Sequence, residues 1–455
     1  MTRNRADLPL FATLSARSVK QFGAVGDGVT DDAAAFARAA ESANKLIVVE
    51  PGTYVLNTAI AILAGQTWLF VGNPTITHTD ATKNLFTATT VNDWEMRGNA
   101  KFLGLGSGSA GNEIGLVVTD CENYKIDGLY FTGFRNRGIE LRSLSDTTPS
   151  TYRKRGFLND VVIHDCRVTG LYIGAESEYN QIQNVSVTNC NAVSGGSGST
   201  GIECVGGNNF FSNTKVTDCV IGVKIPDGDN GGHGTWVGGC INHATNIGLW
   251  IVDTLGFTFN GLAIYGNASN QGDIYLDGCA SVLFSGCDIA TRITAGTQPT
   301  GMTLFDGCNL RSGNNFSIAT GMTLASRQTL RFSNCIDGTA LSTYNDPLGG
   351  GSPATITIAS GVAAKPINAG FGTALVIDTE AAAATDDLDT ITAGKNGEII
   401  TVRAANTART VVCKNGTGNL KLAGSDFSLD NTDDTILLMS NGTNWLELCR
   451  ASNGA

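Results

Sequence analysis

From residue 68 to residue 337 one hydrophobic pattern recurs along the chain. A short run of alternating apolar and polar residues ends on Asn, Asp, Gly or Ser, and a run of the form Gly-apolar-x-apolar follows in many units. "VVIHDCRV" (161–168), "VSVTNCNA" (185–192), "TKVTDCVI" (214–221), "GTWVGGCI" (234–241), "FTFNGLAI" (257–264), "VLFSGCDI" (282–289), "TLFDGCNL" (303–310) and "LRFSNCID" (330–337) share this frame. "WLFVGNPTI" (68–76), "WEMRGNAKF" (94–102) and "YKIDGLYF" (124–131) read as earlier copies. With Cys166, Cys190, Cys219, Cys240, Leu262, Cys287, Cys308 and Cys335 as anchors, the spacings are 24, 29, 21, 22, 25, 21 and 27. A quasi-period in this range signals a solenoid. The units are strand-like and lack a helix, which excludes leucine-rich and ankyrin repeats. The prediction is a right-handed parallel β-helix of about 10–11 coils, each stacked about 4.8 Å from the last. Its anchor cysteines are expected to form one inward column as small hydrophobes. Corner asparagines such as Asn189 and Asn334 are expected to ladder.

Before the first coil stands "QFGAVGDGVTDDAAAFARAAESAN" (21–44). Thr30, Asp31 and Asp32 suit a helix N-terminus, where their oxygens accept orphan backbone N–H groups. The spacing predicts a helix over about 31–43 with Ala33, Phe36, Ala40 and Ala43 on its apolar face. A helix this short is marginal alone. A solenoid's first coil needs a cover, so the helix is expected to cap it. The β-helix is placed at 18–345, after an arm at 1–17.

The pattern changes beyond a Gly/Pro/Ser-rich linker at 346–354. "ATITIAS", "TALVIDT", "EIITVRAA", "RTVVCKN", "TILLMSN" and "WLELCR" alternate strictly and are separated by Gly/Asn turns. Residues 355–455 therefore read as an antiparallel β-sandwich of about eight strands.

Composition narrows the partners. A net charge of −11 disfavours nucleic acid and anionic membranes. No stretch of 18 apolar residues is present for membrane insertion. Twelve cysteines without a C-x-x-C pair do not read as a zinc site or a disulfide framework, and no metal or cofactor is expected. "DGDNGG" (227–232) lacks the acid that completes an EF-hand loop.

"FGAVGDGVTDD" (22–32) with its alanine-rich helix resembles the opening signature of the pectate-lyase-3-like family, right-handed β-helices common among phage tailspikes and polysaccharide-depolymerising enzymes. "DDLDTITAGKNGEIITVRAA" (386–405) and "NGTNWLELCR" (441–450) resemble the C-terminal β-sandwich of phage tail fibres and tailspikes. Together these resemblances imply a polysaccharide-depolymerising tailspike. They also imply a homotrimer located on the virion tail that contacts a phage baseplate or tail protein through the N-terminal arm. The implied partner is a bacterial surface polysaccharide, capsule or O-antigen.

The repeat also gives an outward register. In "GIEL", "GLYI", "GIEC", "GVKI", "GLWI" and "DIYL" the apolar positions face inward, so Glu140, Tyr172, Glu203, Lys224, Trp250 and Tyr275 face outward in one file. Carboxylates supply acid/base chemistry and aromatic rings stack on sugars, although a solvent-facing column is also ordinarily polar. Glu140 and Glu203 lie two coils apart, about 9.6 Å at the rung spacing. That fits the separation of about 6.5–9.5 Å in inverting glycosidases better than the shorter one in retaining enzymes. Asp227, Asp253 and Glu176 are further candidate acids. A lyase is the competing reaction, with Lys224 or Tyr172 as base, and a non-catalytic glycan adhesin is the competing class. His233 in "GGHGTWVGG" reads as a turn residue. Arg153, Lys154 and Arg155 form a basic loop, and Trp445 reads as either a sugar platform or core.

Overall fold

The computed structural model describes residues 16–43, 45–143, 155–193, 198–226, 232–254, 256–266, 273–279, 281–295, 302–310, 316–318, 330–333, 335–337, 343–344, 355–365, 373–392, 394 and 396–454. The chain forms two compact units. One holds residues 1–304 and 308–322, the other 305–307 and 323–455.

The first unit is a parallel β-solenoid. Strands three apart in sequence pair in parallel, which builds three sheets along its axis. The sheet that matters below has eleven strands, running from Ile60–Ile62 through Arg137–Arg142, Thr169–Ile173, Thr200–Cys204, Ile221–Ile225, Ile247–Val252 and Asp273–Asp277 to Phe316–Ile318. Single residues in left-handed conformation turn the corners, which explains the Asn/Asp/Gly punctuation. One corner uses Asp165, Asn189, Asp218 and His243, with φ of 53°, 60°, 58° and 52°. Another uses Gly128, Asp160, Asn184, Asn213, Gly238, Gly261 and Gly286.

Except after Gly238, where Gly239 is half-buried, both corners place a buried residue immediately after the left-handed one, so the expected single cysteine column is two columns. Cys166, Cys190, Cys219 and then Ala244 follow the first corner, while Leu262, Cys287 and Cys308 follow the second; all are buried. Cys240 belongs to neither. It is half-buried, on an outward rung between Lys215 and Ala263. Burial pushes the Cys204 and Cys279 thiols up to about 12, far from the reactive thiolate form. The asparagine ladder lies elsewhere than expected. Asn213 donates to Asn184 (2.8 Å), Asn184 to Asn159 (3.2 Å) and Asn159 to Asp127 (2.8 Å). Asn189 instead accepts locally from Asn191, and Asn334 lies outside the described residues.

The capping helix spans Ala33–Glu41. Phe36 is fully buried, edge-on to Tyr54 at 5.2 Å and stacked on Trp68 at 6.0 Å, so the helix covers the first coils. Ala43 is exposed because the helix has ended. Asp32 occupies the N-cap position, yet its carboxylate turns back to accept from Val25 N (2.6 Å) and Gly26 N (3.1 Å). Asp31 accepts from Ala33 N instead (3.0 Å). Its acids thus fold the glycine loop and start the helix together. A pair not visible in the sequence, His78 and Glu113, is fully buried at 3.0 Å, and Glu113 also accepts from the backbone of Leu105 and Arg135.

The second unit has one core, with Ile356, Leu375, Ile377, Leu388, Val411, Leu429 and Leu438 among its members. Its strands pair in mixed fashion rather than in the uniformly antiparallel way expected. Thr355–Thr357, Thr373–Asp378 and Ile399–Ala404 run parallel, whereas Thr435–Ser440 pairs antiparallel with Ile399–Ala404 and with Trp445–Ala451. Trp445 is core: it is fully buried and donates to Ile391 O at 3.3 Å.

The glycines that open the Gly-apolar-x-apolar strands have no room for a side chain. A Cβ on Gly201 would sit 2.4 Å from Val216 Cγ1, 2.7 Å from Gly222 O and 3.0 Å from Cys219 Sγ. Gly201→Ala is therefore expected to destabilise the solenoid by about 1–3 kcal/mol, read as a lower urea midpoint. An unchanged midpoint would show that the coil interior yields freely.

Candidate active face

The outward file stands on consecutive rungs of the eleven-stranded sheet. Glu140 pairs with Tyr172, Tyr172 with Glu203, Glu203 with Lys224, Lys224 with Trp250 and Trp250 with Tyr275. The flanking apolar positions, such as Ile139, Leu171, Ile202, Val223, Leu249 and Ile274, are fully buried. Inward packing of these residues therefore fixes which side chains the face presents.

The six differ in their surroundings. The side chain of Glu140 points outward but is only 5% exposed. Arg137 Nη1 reaches its Oε2 at 3.0 Å and Arg142 Nη1 reaches its Oε1 at 3.4 Å, so both oxygens are engaged. Glu203 keeps 21% of its side chain exposed and, among the described residues, is held by Lys224 Nζ at 3.5 Å. Lys224 Nζ also lies 5.1 Å from the centre of the Trp250 ring, and Tyr275 meets Trp250 edge-on at 6.2 Å. The Trp250 indole N–H is buried without an acceptor among the described residues. Arg137 lies over the Tyr172 ring with Cζ 3.8 Å from the centroid, a close cation–π contact. Burial raises the Tyr172 phenol above its ordinary value. Arg137 opposes that rise, and Glu203 and Glu140 add to it.

The remaining candidates are not on the ladder. Asp253 follows the Trp250 strand at an exposed corner with φ 43°, its N–H donating to Asp277 O at 2.7 Å. Glu176 occupies a left-handed corner position three residues past the Tyr172 strand. Asp227 lies outside the described residues, as do Arg153 and Lys154; Arg155 is exposed. His233 opens the strand His233–Val237 of a different sheet, in register with Gly256. Among the described residues no group of three His, Cys, Asp or Glu side chains is arranged to hold a metal ion. No helix among them is long and apolar enough to cross a membrane.

Arg137 and Arg142 were not candidates in the sequence. Arg142, two residues after Glu140, shares its parity and was legible by alternation. Arg137, three residues before, has the opposite parity. It reaches Glu140 because Gly138 and Ile139 are both buried in succession, which resets the alternation.

Residues 16–230 match the sequence profile of a family described as rhamnogalacturonase A/epimerase, pectate lyase-like. No curated protein matches the chain in sequence. Among solved structures, it is similar to the A-module of the mannuronan C-5 epimerase AlgE4 of Azotobacter vinelandii. The two share 16% identity and a TM-score of 0.52, with 71% of this chain and 92% of that one covered. The Dettilon tailspike protein shares 13% identity at a TM-score of 0.43, covering 70% and 68%. The N-terminal fragment of bacteriophage Phi29 gene product 12 shares 14% at 0.45, covering 84% of each. The last two superpose too loosely to carry an argument, and the first speaks to the fold alone.

The Arg137–Tyr172 contact carries its own test. Replacing Arg137 by Gln removes the one charge that lowers the Tyr172 phenol, so this tyrosine is expected to ionise at higher pH than in the parent. Ultraviolet difference titration against Tyr172→Phe reads it. Ionisation at an unchanged or lower pH would mean that Arg137 does not act on the phenol.

Proposed function

We propose that this protein is a phage tailspike that binds and hydrolyses a bacterial surface polysaccharide, a capsule or an O-antigen, along the Glu140–Tyr275 ladder. The observation that carries this reading is the ladder itself. Two carboxylates, a lysine and three aromatic side chains occupy six consecutive outward rungs. Hydrolysis of a glycosidic bond needs a pair of carboxyl groups, and sugar rings need flat apolar partners. Two rungs separate Glu140 from Glu203, about 9.6 Å of backbone, which leaves room for the water of an inverting reaction. In this reading Glu140, fixed by two guanidiniums, orients the attacking water and takes its proton as the water's oxygen bonds to the anomeric carbon. Glu203, in the state where it carries a proton in place of its ion pair with Lys224, gives that proton to the leaving oxygen. Trp250 and Tyr275 carry the neighbouring sugars, with Tyr172 and Lys224 at the cleavage point. Asp253, Asp227 and Glu176 are the alternatives for either member of the pair.

The homotrimer, the virion-tail location and attachment to a baseplate or tail protein through the N-terminal arm belong to the same proposal. They rest on the resemblance of the glycine-acid opening and of the C-terminal strands to tailspikes. The net charge of −11 argues against nucleic acid as the partner. Elimination is the second reading, favoured by two groups beside the carboxylates. Lys224 stands 3.5 Å from Glu203, and Tyr172 stands on the rung between the two glutamates.

The test is the mass of what the purified protein releases from a panel of capsules and O-antigens. Hydrolysis gives fragments that carry the mass of one added water. Glu203→Gln and Glu140→Gln should each lower the rate by about 10²–10⁴-fold while binding persists. Fragments without that water would move the chemistry to Lys224 or Tyr172. Binding with no release from any polymer would make the protein an adhesin.

A further inference from the structure

We propose that Arg137 and Arg142 form a subsite for a carboxylate-bearing sugar of the polysaccharide. This deepens the functional reading above and rests on it. The two guanidiniums converge on one carboxylate, Glu140, and so leave one unit of positive charge uncompensated at that point. The next charged pair along the ladder, Glu203 with Lys224, is balanced. Asp120, at the end of the strand beside Arg142, accepts from Ser143 Oγ at 2.7 Å. The Asp120 carboxylate keeps its charge, so the surplus belongs to the Arg137–Glu140–Arg142 cluster itself, on a chain that is acidic as a whole.

Donors remain to be used there. Arg142 gives Nε to Thr119 Oγ1 at 3.1 Å and Nη1 to Glu140. Its Nη2 has no partner among the described residues, and 44% of the side chain is exposed. Arg137 Nε is buried and has no acceptor among the described residues. The 3.8 Å stack on Tyr172 fixes the plane of Arg137 before any ligand arrives, which lowers the ordering cost of binding. A planar guanidinium fork matches a carboxylate bidentately, whereas a lysine offers a point charge. A polymer lying along the ladder would thus be oriented, its acidic sugar at the Glu140 end and its neighbours on Trp250 and Tyr275.

The experiment takes the polymer that the protein cleaves, together with a copy whose carboxyl groups have been reduced to alcohols. Both are assayed with the parent, Arg142→Gln and Arg142→Lys, after the melting temperature confirms that each variant is folded. The parent should show a KM about tenfold or more higher on the reduced polymer, with kcat little changed. Arg142→Gln should show that higher KM on both polymers, since the effects of removing either partner do not add. Arg142→Lys should fall between. A cleaved polymer whose native repeat carries no carboxylate, an unchanged KM on the reduced polymer, or equal discrimination by the parent and Arg142→Gln overturns the subsite while leaving the depolymerase reading intact. Failure to bind or cleave any polymer overturns that reading and the subsite with it.

Discussion

The parallel stacking of one coil on the next at fixed register is the constraint on which everything else depends. Within each coil of the eleven-stranded sheet, buried Ile, Leu and Val side chains decide which positions point inward. Backbone pairing then carries that decision to the neighbouring rung. A one-residue slip would send every outward group into the core. The glycines at the strand starts reinforce the register, since Gly170 and Gly201 each meet the Val and Cys side chains of the following coil. A functional face arises as a by-product: whatever stands at the free position of each Gly-apolar-x-apolar strand becomes a neighbour of its counterpart, about 4.8 Å away.

This is why so much was legible. The repeat gave the fold class, and the position of x gave the six outward residues in their order. What was not legible had local physical causes. Two different corners both place a small buried residue after a left-handed one, so one cysteine frame disguised two columns. Cys240 stands in the frame by spacing alone and on the outward surface in fact. Arg137 was hidden because Gly138 breaks the alternation on which parity depends. In the C-terminal unit alternation identifies the buried face of each strand but not the direction of its partner, and the pairing proved mixed. Of the two readings that the sequence left open for Trp445, the core is the one the structure has.

The face is also graded electrostatically. Glu140, with two guanidiniums and 5% exposure, is built as a fixed group. Glu203, with one ammonium at 3.5 Å, is built as an accessible one. Trp250 and Tyr275 form an aromatic end. For a linear polymer bound as proposed, such a gradient would set a direction to lie in, which a uniform polar surface would not.

The claim that this ladder is the working face has a direct optical test. The chain has five tryptophans. Trp68, Trp94, Trp236 and Trp445 are fully buried, and only Trp250 stands on the face. Titration with a bound bacterial polysaccharide should change the tryptophan emission of the parent, and the change should vanish in Trp250→Phe. Binding that leaves the emission unaltered, or a change that survives the substitution, would contradict this account.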